Sequence, residues 1–410
     1  MQIDNRRKID LHSSETEIPM PPLNAVPENI SEVFLLPTDK IAPEHEFVAH
    51  TCIGEVLAKL MSAEFKGVFQ GKLTNKVHQP FSRPDNSLSG TAYMIPNDTL
   101  IGHEYWNTAG ITSTEIFFGG LVSEPFMATK AISHPLLDPD CYAPQGWSEI
   151  FSKHAQSALL KGYTTFNLAD AENAAIKLLH KGSVRIKPVR ATAGRGQLVI
   201  EDMQQLRAVL PTLDEKEIST WGITIEENLQ EVVTYSVGQI RVAGIVASYV
   251  GTQCLTPDNN GISVYGGSDL ILVRGDYPEL FQLNISANAK RAITQAQTYE
   301  QAAFHAFPQL IASRRNYDVA QGINARNQFC SGVLEQSWRI GGASGAEVFA
   351  LKAFHNDPSL NCIRASTHEV YGEIDPPADA AILYQGDDAE VGQITKFVKV
   401  YPYVHTNRTD

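Results

Sequence analysis

The chain has 410 residues, is 43% hydrophobic and carries a formal net charge of −13 at pH 7. That length predicts two or three domains with apolar content ample for real cores, and the acidic balance argues against a general nucleic-acid binder. Five scattered cysteines with no CxxC pair suggest neither a zinc site nor a disulfide frame.

In chain order, residues 1–45 are polar and Pro-rich and read as a loose N-terminal arm. No apolar h-region of a signal peptide is evident there, and no apolar run in the chain is long enough to span a membrane, so the expected location is cytoplasmic. A first α/β domain is expected over 46–145. It holds a helix at 46–66, with Ile53, Leu57, Leu60 and Met61 on helical spacing, a strand at 90–96, a helix at 100–111 and a strand at 114–119. The segment Thr129-Lys130-Ala-Ile-Ser-His134-Pro135 reads first as loop punctuation, with Lys130 and His134 as second choices for a substrate cleft.

Helices follow at 147–161 and 169–181. Val184 and Ile186 then alternate with Arg185 and Lys187, which puts both cations on one face of a strand that ends at Pro188. The loop at 192–196 (Thr-Ala-Gly-Arg-Gly) lets backbone N–H groups approach an anion, and Leu198, Val199 and Ile200 resume an apolar strand. A lysine beside such a loop suits phosphate oxygens. A strand follows the glycines and no Gly-Lys-Ser/Thr is present, so the loop is neither a Walker A loop nor a dinucleotide fingerprint. A plain hairpin is the alternative.

A helix is expected at 203–210, stopped by Pro211, then a strand at 223–228 and antiparallel strands at 232–237, 239–246 and 248–252. Residues 253–268 read as a flexible Asn/Gly-rich loop, and 286–307 as a long helix N-capped by Ser286. Over Gly332–Ile340, period two places Glu335, Ser337 and Arg339 on one face and Leu334, Gln336 and Trp338 on the other. That row offers oxygen ligands for Mg²⁺ and a guanidinium for a carboxylate or a transferring phosphoryl group. Gly341, Gly342, Ser344 and Gly345 follow and could offer N–H groups to a second anion. An exposed strand with a weak Glu–Arg pair is the plainer reading. Residues 351–410 carry mixed strand signals.

Together, the Lys-bearing strand with its Gly-rich hairpin, the downstream Ile-Glu-Glu-Asn-Leu and the later Leu-Glu-x-Ser-x-Arg resemble the ATP-grasp superfamily. The nearest likeness is to its biotin-carboxylase-like branch, where the last motif usually reads Glu-x-Asn-x-Arg. Within that branch the chain is similar to one of the functionally uncharacterised bacterial families, not to a carboxylase itself. The resemblance spans residues 150–350. It implies an α/β (α+β) ATP-grasp fold in which 46–145 is a Rossmann-like domain and 146–350 the nucleotide-binding core. The hairpin lid falls near 184–235, and 351–410 packs on the core.

The resemblance also implies roles. Lys153 and Lys187 contact nucleotide phosphates, and the loop with Gly194, Arg195 and Gly196 closes over them. Glu226, Glu227 and Leu229 bind the adenine edge. Glu231 is the candidate for the ribose hydroxyls, with Thr234 as the alternative position. Asp318 and Glu335 are the metal ligands, with Ser337 where an Asn is usual, and a loop inserted at 321–329 is assumed between them. Arg339 and Lys187 act in catalysis. ATP and Mg²⁺ are the implied cofactors, and the implied reaction is ATP-dependent activation of a small-molecule carboxylate for attack by an amine or similar nucleophile. Dimerisation is common in related folds. Two rival readings remain: a nucleotide-binding sensor or scaffold with this fold but no ligase activity, and an unrelated α/β enzyme in which the hairpin is only a turn.

Overall fold

The computed structural model describes residues 30–70, 92–190 and 196–403. The chain opens with β1 (Glu32–Leu36), α1 (Glu44–Leu60), β2 (Glu64–Val68) and β3 (Ala92–Pro96), and the strands pair in parallel in the order β2-β1-β3. Parallel strands joined by a crossover helix form the Rossmann-like unit expected here. β1 lies inside the stretch read as a loose arm. Its Val-Phe-Leu-Leu run is largely buried (Val33 0%, Leu36 1% exposed), and a buried parallel strand shows a continuous apolar run without alternation. The helix read at 46–66 stops at Leu60, because Ser62 enters the left-handed region at φ 55° and the chain returns as β2.

β4 (Leu100–Ile101), α2 (His103–Thr108) and β5 (Gly120–Val122) come next. The helix read at 100–111 is therefore a short strand and a short helix, separated by Gly102 at φ 94°. The strand read at 114–119 reduces to one isolated bridge from Phe117 to Met94.

A second sheet is built from α3 (Glu149–His154), β6 (Gly162–Thr165), α4 (Leu168–Leu179), β7 (Val184–Pro188), β8 (Leu198–Ile200), α5 (Met203–Val209), α6 (Glu215–Trp221) and β9 (Ile223–Glu227). Its strands run antiparallel in the order β6-β9-β7-β8. The readings at 169–181, 184–188 and 203–210 agree closely with α4, β7 and α5. The helix read at 147–161 is shorter, a six-residue α3 with Ser148 as N-cap. One face of this sheet (Val184, Ile186, Ile200, Ile223, Ile225) packs on Ala171, Ala174, Ala175 and Leu178 of α4. Period two then sends Arg185, Lys187 and Glu226 to the other face.

The remaining elements are β10 (Leu229–Val242), β11 (Ile245–Pro257), β12 (Ser263–Arg274), α7 (Tyr277–Phe281), α8 (Ala287–Ala306), β13 (Ile311–Ala312), β14 (Arg314–Asn324), β15 (Phe329–Ser337), α9 (Ser344–Asn356), β16 (Cys362–Tyr371), β17 (Ala381–Asp388) and β18 (Gly392–Pro402). Eight of the strands form one antiparallel sheet in the order β15-β14-β10-β11-β12-β16-β18-β17. The three short strands read between 232 and 252 belong to β10 and β11, which are far longer. The loop read at 253–268 is mostly strand around a tight turn, with Gly261 at φ 78°. No inserted loop separates Asp318 from Glu335, since β14 continues to Asn324 and returns through a hairpin with Asn327 at φ 57°.

α8, N-capped by the Ser286 hydroxyl accepting the Ala289 N–H at 3.1 Å, covers one face of the large sheet, packing Ile293, Ala296, Tyr299 and Ala303 on Val237, Val250, Tyr317 and Val319. The opposite face is covered at one end by α9 and the N-terminal unit, through Leu57, Val348 and Leu351 on Ile240, Tyr249 and Leu270. The rest of that face looks toward the small sheet across a cleft. A small antiparallel sheet thus faces a larger one across a cleft, behind a Rossmann-like unit, and the mixed α/β (α+β) class expected from the sequence is the one observed.

Candidate active site

The cleft between the two sheets has a volume of about 660 Å³. Its floor is the large sheet, which contributes Thr234 and Ser236 from β10, Asn316 and Asp318 from β14, and Glu335 and Ser337 from β15. Its opposite wall is the small sheet, which contributes Arg185, Lys187 and Glu226. Lys187, Asp318 and Glu335 thus line one cavity despite their separation along the chain.

Local strand chemistry sets the positions. Asp318 pairs with Glu335 in the β14–β15 ladder, whereas Val319 pairs with Val333, so Leu334 is an extra residue on the β15 side. Such a bulge re-aims the side chains around it, and here it brings two carboxylates opposite one another at the cleft floor. Burial and then Glu335 push the Asp318 carboxyl up to about 6. Burial would raise Glu335 too, but Lys130 outweighs it and holds that carboxyl below its ordinary range. Lys130 forms an ion pair with Glu335, and its side chain is only 7% exposed. Asn316 Nδ2 donates to Asp318 Oδ1 at 2.9 Å, which fixes one oxygen of the pair.

On the opposite wall Lys187 is ion-paired with Glu226, and both are 2% exposed. His134 Nε2 lies 3.1 Å from the other Glu226 oxygen. Burial pushes the Lys187 ammonium down and Lys130 adds to that, while Glu226 opposes it. Burial tends to raise Glu226, but Lys187 and His134 pull it down to about 2. Gly162 is needed behind this group, because a Cβ there would come within 2.8 Å of the His134 ring and of the Ile225 carbonyl. Arg185 donates from Nε and Nη2 to Asn228 Oδ1 at 3.1 and 2.8 Å and from Nη1 to Gln197 at 3.1 Å.

A buried network stands behind the floor. Arg314 and Glu347, 1% and 0% exposed, are paired, with Nη2 to Oε1 at 2.6 Å. Arg314 Nη1 donates to the Ser337 carbonyl at 3.0 Å, the Ser337 hydroxyl at 3.1 Å and the Arg339 carbonyl at 2.7 Å. Tyr249 donates its hydroxyl proton toward Glu347 Oε1 at 2.6 Å and lies 2.8 Å from Asn316 Oδ1. One charge-assisted network therefore fixes the course of the chain at Ser337 and Arg339 and, through Asn316, the Asp318 side chain.

The other expected residues fall as follows. Glu227 and Leu229 line the cleft beside a small apolar cluster of Leu160, Leu229 and Ala320 with Leu334 against it. Arg339 lines it near Asp98, at 3.6 Å. Lys153 is exposed in the last turn of α3 and is not among the lining residues. Glu231 is exposed on a bulge of β10 at φ 52° and does not line the cleft either, whereas Thr234 does. Gly196 is described at φ 68°, and Gly194 and Arg195 lie outside the described residues. Of the glycine turn, Gly341, Gly342 and Gly345 line the cleft, and the Gly341 N–H is already bonded to the Ser344 hydroxyl at 3.1 Å.

Asp318 and Glu335 fit a divalent cation. They are half-buried carboxylates paired across the β14–β15 ladder, and their repulsion, which adds to burial in raising Asp318, is what a cation would relieve. Ser337 fits less well, because its hydroxyl accepts from Arg314. Among the described residues no group of three or more His, Cys, Asp or Glu side chains is assembled for a metal, so the remaining ligands would be phosphate oxygens and water.

Sequence reasoning ranked Lys130 and His134 behind loop punctuation and missed Arg314, Asn316, Tyr249 and Glu347. One signal was available: Glu347 sits in Ala-Glu-Val-Phe-Ala, a charge in an otherwise apolar helical stretch, and such a charge needs a buried partner.

A family model described as protein of unknown function (DUF3182) matches residues 33–398. No curated protein matches the sequence. Among solved structures, the chain is similar to N5-carboxyaminoimidazole synthetase from Staphylococcus aureus complexed with ADP, with 13% identity, 93% of this chain and 96% of that chain covered, and a TM-score of 0.45. It is similar to biotin carboxylase from Campylobacter jejuni, with 11% identity, 89% and 87% covered and a TM-score of 0.47. It is also similar to D-alanyl-alanine synthetase A from Vibrio cholerae, with 14% identity, 80% and 94% covered and a TM-score of 0.43. Among the described residues no helix is long and apolar enough to cross a membrane.

Proposed function

The chain belongs to the DUF3182 family, and we propose that it is an ATP-dependent ligase that activates a substrate carboxylate as an acyl phosphate for attack by an amine or a similar nucleophile. The observation that carries this reading is the convergence of Lys187, Asp318 and Glu335 on one cleft, with Lys130 and Arg339 beside them. The adenine edge would lie at Glu226–Leu229 against Leu160, Ala320 and Leu334. Lys187 and Lys130 would turn from their carboxylates to the phosphates, so that an anion exchanges one set of ionic contacts for another. Asp318 and Glu335 would hold Mg²⁺, which supplies charge neutralisation on the phosphates when bound.

The chemistry asked of the protein is positioning and electrostatics. The substrate carboxylate oxygen attacks the γ-phosphorus as the bond to the β-phosphate oxygen breaks, leaving ADP. The amine then forms a bond to the acyl carbon, phosphate departs and the amine loses a proton to water. Arg339, whose backbone is fixed by Arg314, is suited to the charge that builds on the transferring group or the acyl oxygen. No side-chain nucleophile is required.

The test is a screen of amino acids and small acids for ATP-dependent phosphate release. Release that requires both a carboxylate and a nucleophile supports the ligase. One observation favours the rival reading of a nucleotide-binding sensor or scaffold: the Ser337 hydroxyl is already held by Arg314. Mg·ATP binding with no ADP formed in any mixture would decide for it.

A further inference from the structure

The cleft continues past Arg339 to a group of charges supplied largely by the N-terminal unit: Lys40 ahead of α1, Glu46 and His50 on α1, and Asp98 after β3, with Lys396 from β18. Two of these carboxylate–cation contacts are made within the protein. Asp98 lies 3.6 Å from Arg339, and Glu369, which also lines the cleft, lies 3.1 Å from Lys396. The Lys40 ammonium and the Glu46 carboxylate are different. Both are half-buried, both line the cleft, and among the described residues neither makes an ion pair or a side-chain hydrogen bond, with each other or with anything else.

Each nevertheless feels the other's charge. Burial and Arg339 push the Lys40 ammonium down, with Asp98 and Glu46 opposing. Burial tends to raise Glu46, but Lys396, Lys40 and His50 outweigh it and hold the carboxyl below its ordinary range. Opposite charges that share a cleft without closing on one another suggest a gap meant for a third party.

The backbone beneath both is pinned. Asn97 Oδ1 accepts the Thr38 N–H at 2.8 Å, and Asn97 Nδ2 donates to the Lys40 carbonyl at 2.7 Å. At the start of α1 the His45 N–H donates to Asp388 Oδ2 at 2.9 Å, and Asp388 is 3% exposed. These contacts join segments far apart in sequence, so the positions of the two charges are preorganised. Glu46 and His50 lie four residues apart on α1 and therefore share one face.

A ligand that carried only one sign of charge would satisfy one of these groups and leave the other desolvated and unpaired, which is costly. A ligand that carries both signs on neighbouring atoms satisfies both. We propose that this end of the cleft binds a free α-amino acid, its carboxylate at Lys40 and its ammonium at Glu46, as one of the two substrates joined. Its role as a substrate rests on the ligase reading; its binding does not.

The test uses three sets of probes: the common L-α-amino acids, the dicarboxylates succinate, glutarate and malate, and the diamines putrescine and cadaverine. Each is titrated calorimetrically into the full chain with and without Mg²⁺ and a non-hydrolysable ATP analogue. At least one amino acid is expected to bind, with its N-acetyl and methyl ester derivatives at least ~10-fold weaker. Glu46→Gln should erase the penalty for N-acetylation and spare the penalty for esterification, and Lys40→Met should do the reverse. That crossed pattern cannot arise from a general loss of folding. Binding of no amino acid, tighter binding of a dicarboxylate or diamine, or equal binding of the blocked derivatives would overturn the proposal. Analogue binding without amino-acid binding defeats this assignment alone. Amino-acid binding with no phosphate release in any mixture defeats the ligase reading alone.

Discussion

Lys130 and Lys187 each rest on a carboxylate, Glu335 and Glu226 respectively, and all four line the cavity in which the phosphates are proposed to lie. Lys187 and Glu226 are both buried, a matched pair in which removing one charge strands the other, whereas the Glu335 side chain is 33% exposed. Glu335→Gln keeps the size of the side chain and its contact with Lys130 but removes the charge a divalent cation needs. ATP turnover in that variant should fall by at least ~100-fold with the fold intact, as read by phosphate release and circular dichroism. Unchanged turnover would remove the mechanism. His50 gives a test by pH. Burial lowers its imidazole from 6.5 to about 4, with Lys396, Arg339 and Lys40 adding to that and Glu46 opposing. The folded state therefore holds His50 neutral in a range where the unfolded chain takes up a proton. Stability from this group is complete above pH 6.5 and is lost as pH falls toward 4. Melting temperatures compared at pH 7.5 and pH 5 should show a smaller acid loss in His50→Asn than in the unaltered protein. An equal loss in the two proteins would show that the imidazole is not held neutral.

Strands carry the site, and their length and register decide which side chains meet. The bulge at Leu334 puts Glu335 opposite Asp318, and no simple alternation in the sequence announces it. Arg314 at the start of β14 ties β15 to α9 through Glu347, so three elements share one buried pair. Glu347→Ala would leave a buried guanidinium without its carboxylate, and breaking such a pair costs about 3–5 kcal/mol. Urea denaturation should show that loss, with catalytic activity falling alongside because the chain at Ser337 and Arg339 loses its anchor. A loss under ~1 kcal/mol would mean that Arg314 finds another partner or water.

At this scale much was legible in the sequence. The β7 alternation, the Ser286 cap and the α4 and α5 periodicities are local signals, and the elements form where those signals lie. Other readings failed for physical reasons. β1 is a short apolar run amid prolines, and the flanking composition outweighed it. The length of β10 to β12 is set by pairing with neighbours, and their Asn and Gly residues gave turn signals for what is mainly strand. The supposed loop at 321–329 is a hairpin whose Asn324 side chain accepts the Arg326 and Gln328 N–H groups at 3.0 and 3.1 Å.

For the whole molecule, the motifs at Lys187, Asp318 and Glu335 could be read because each is a local pattern. The partners that tune them, Lys130, His134, Arg314 and Glu347, are local to nothing; only the packing of the small sheet, the large sheet and the N-terminal unit brings them in. That packing leaves one elongated cleft, with the candidate phosphate groups under the small sheet and unpaired opposite charges at the end nearest the N-terminal unit. The central claim is that a single triphosphate joins Lys187, Asp318 and Glu335, and the most direct measurement is calorimetric titration of Mg·ATP into the unaltered protein, Lys187→Met and Glu335→Gln. Saturable binding with one ATP per chain is predicted, weakened at least ~10-fold in each variant. No binding to the unaltered protein, or equal affinity in all three, would contradict it.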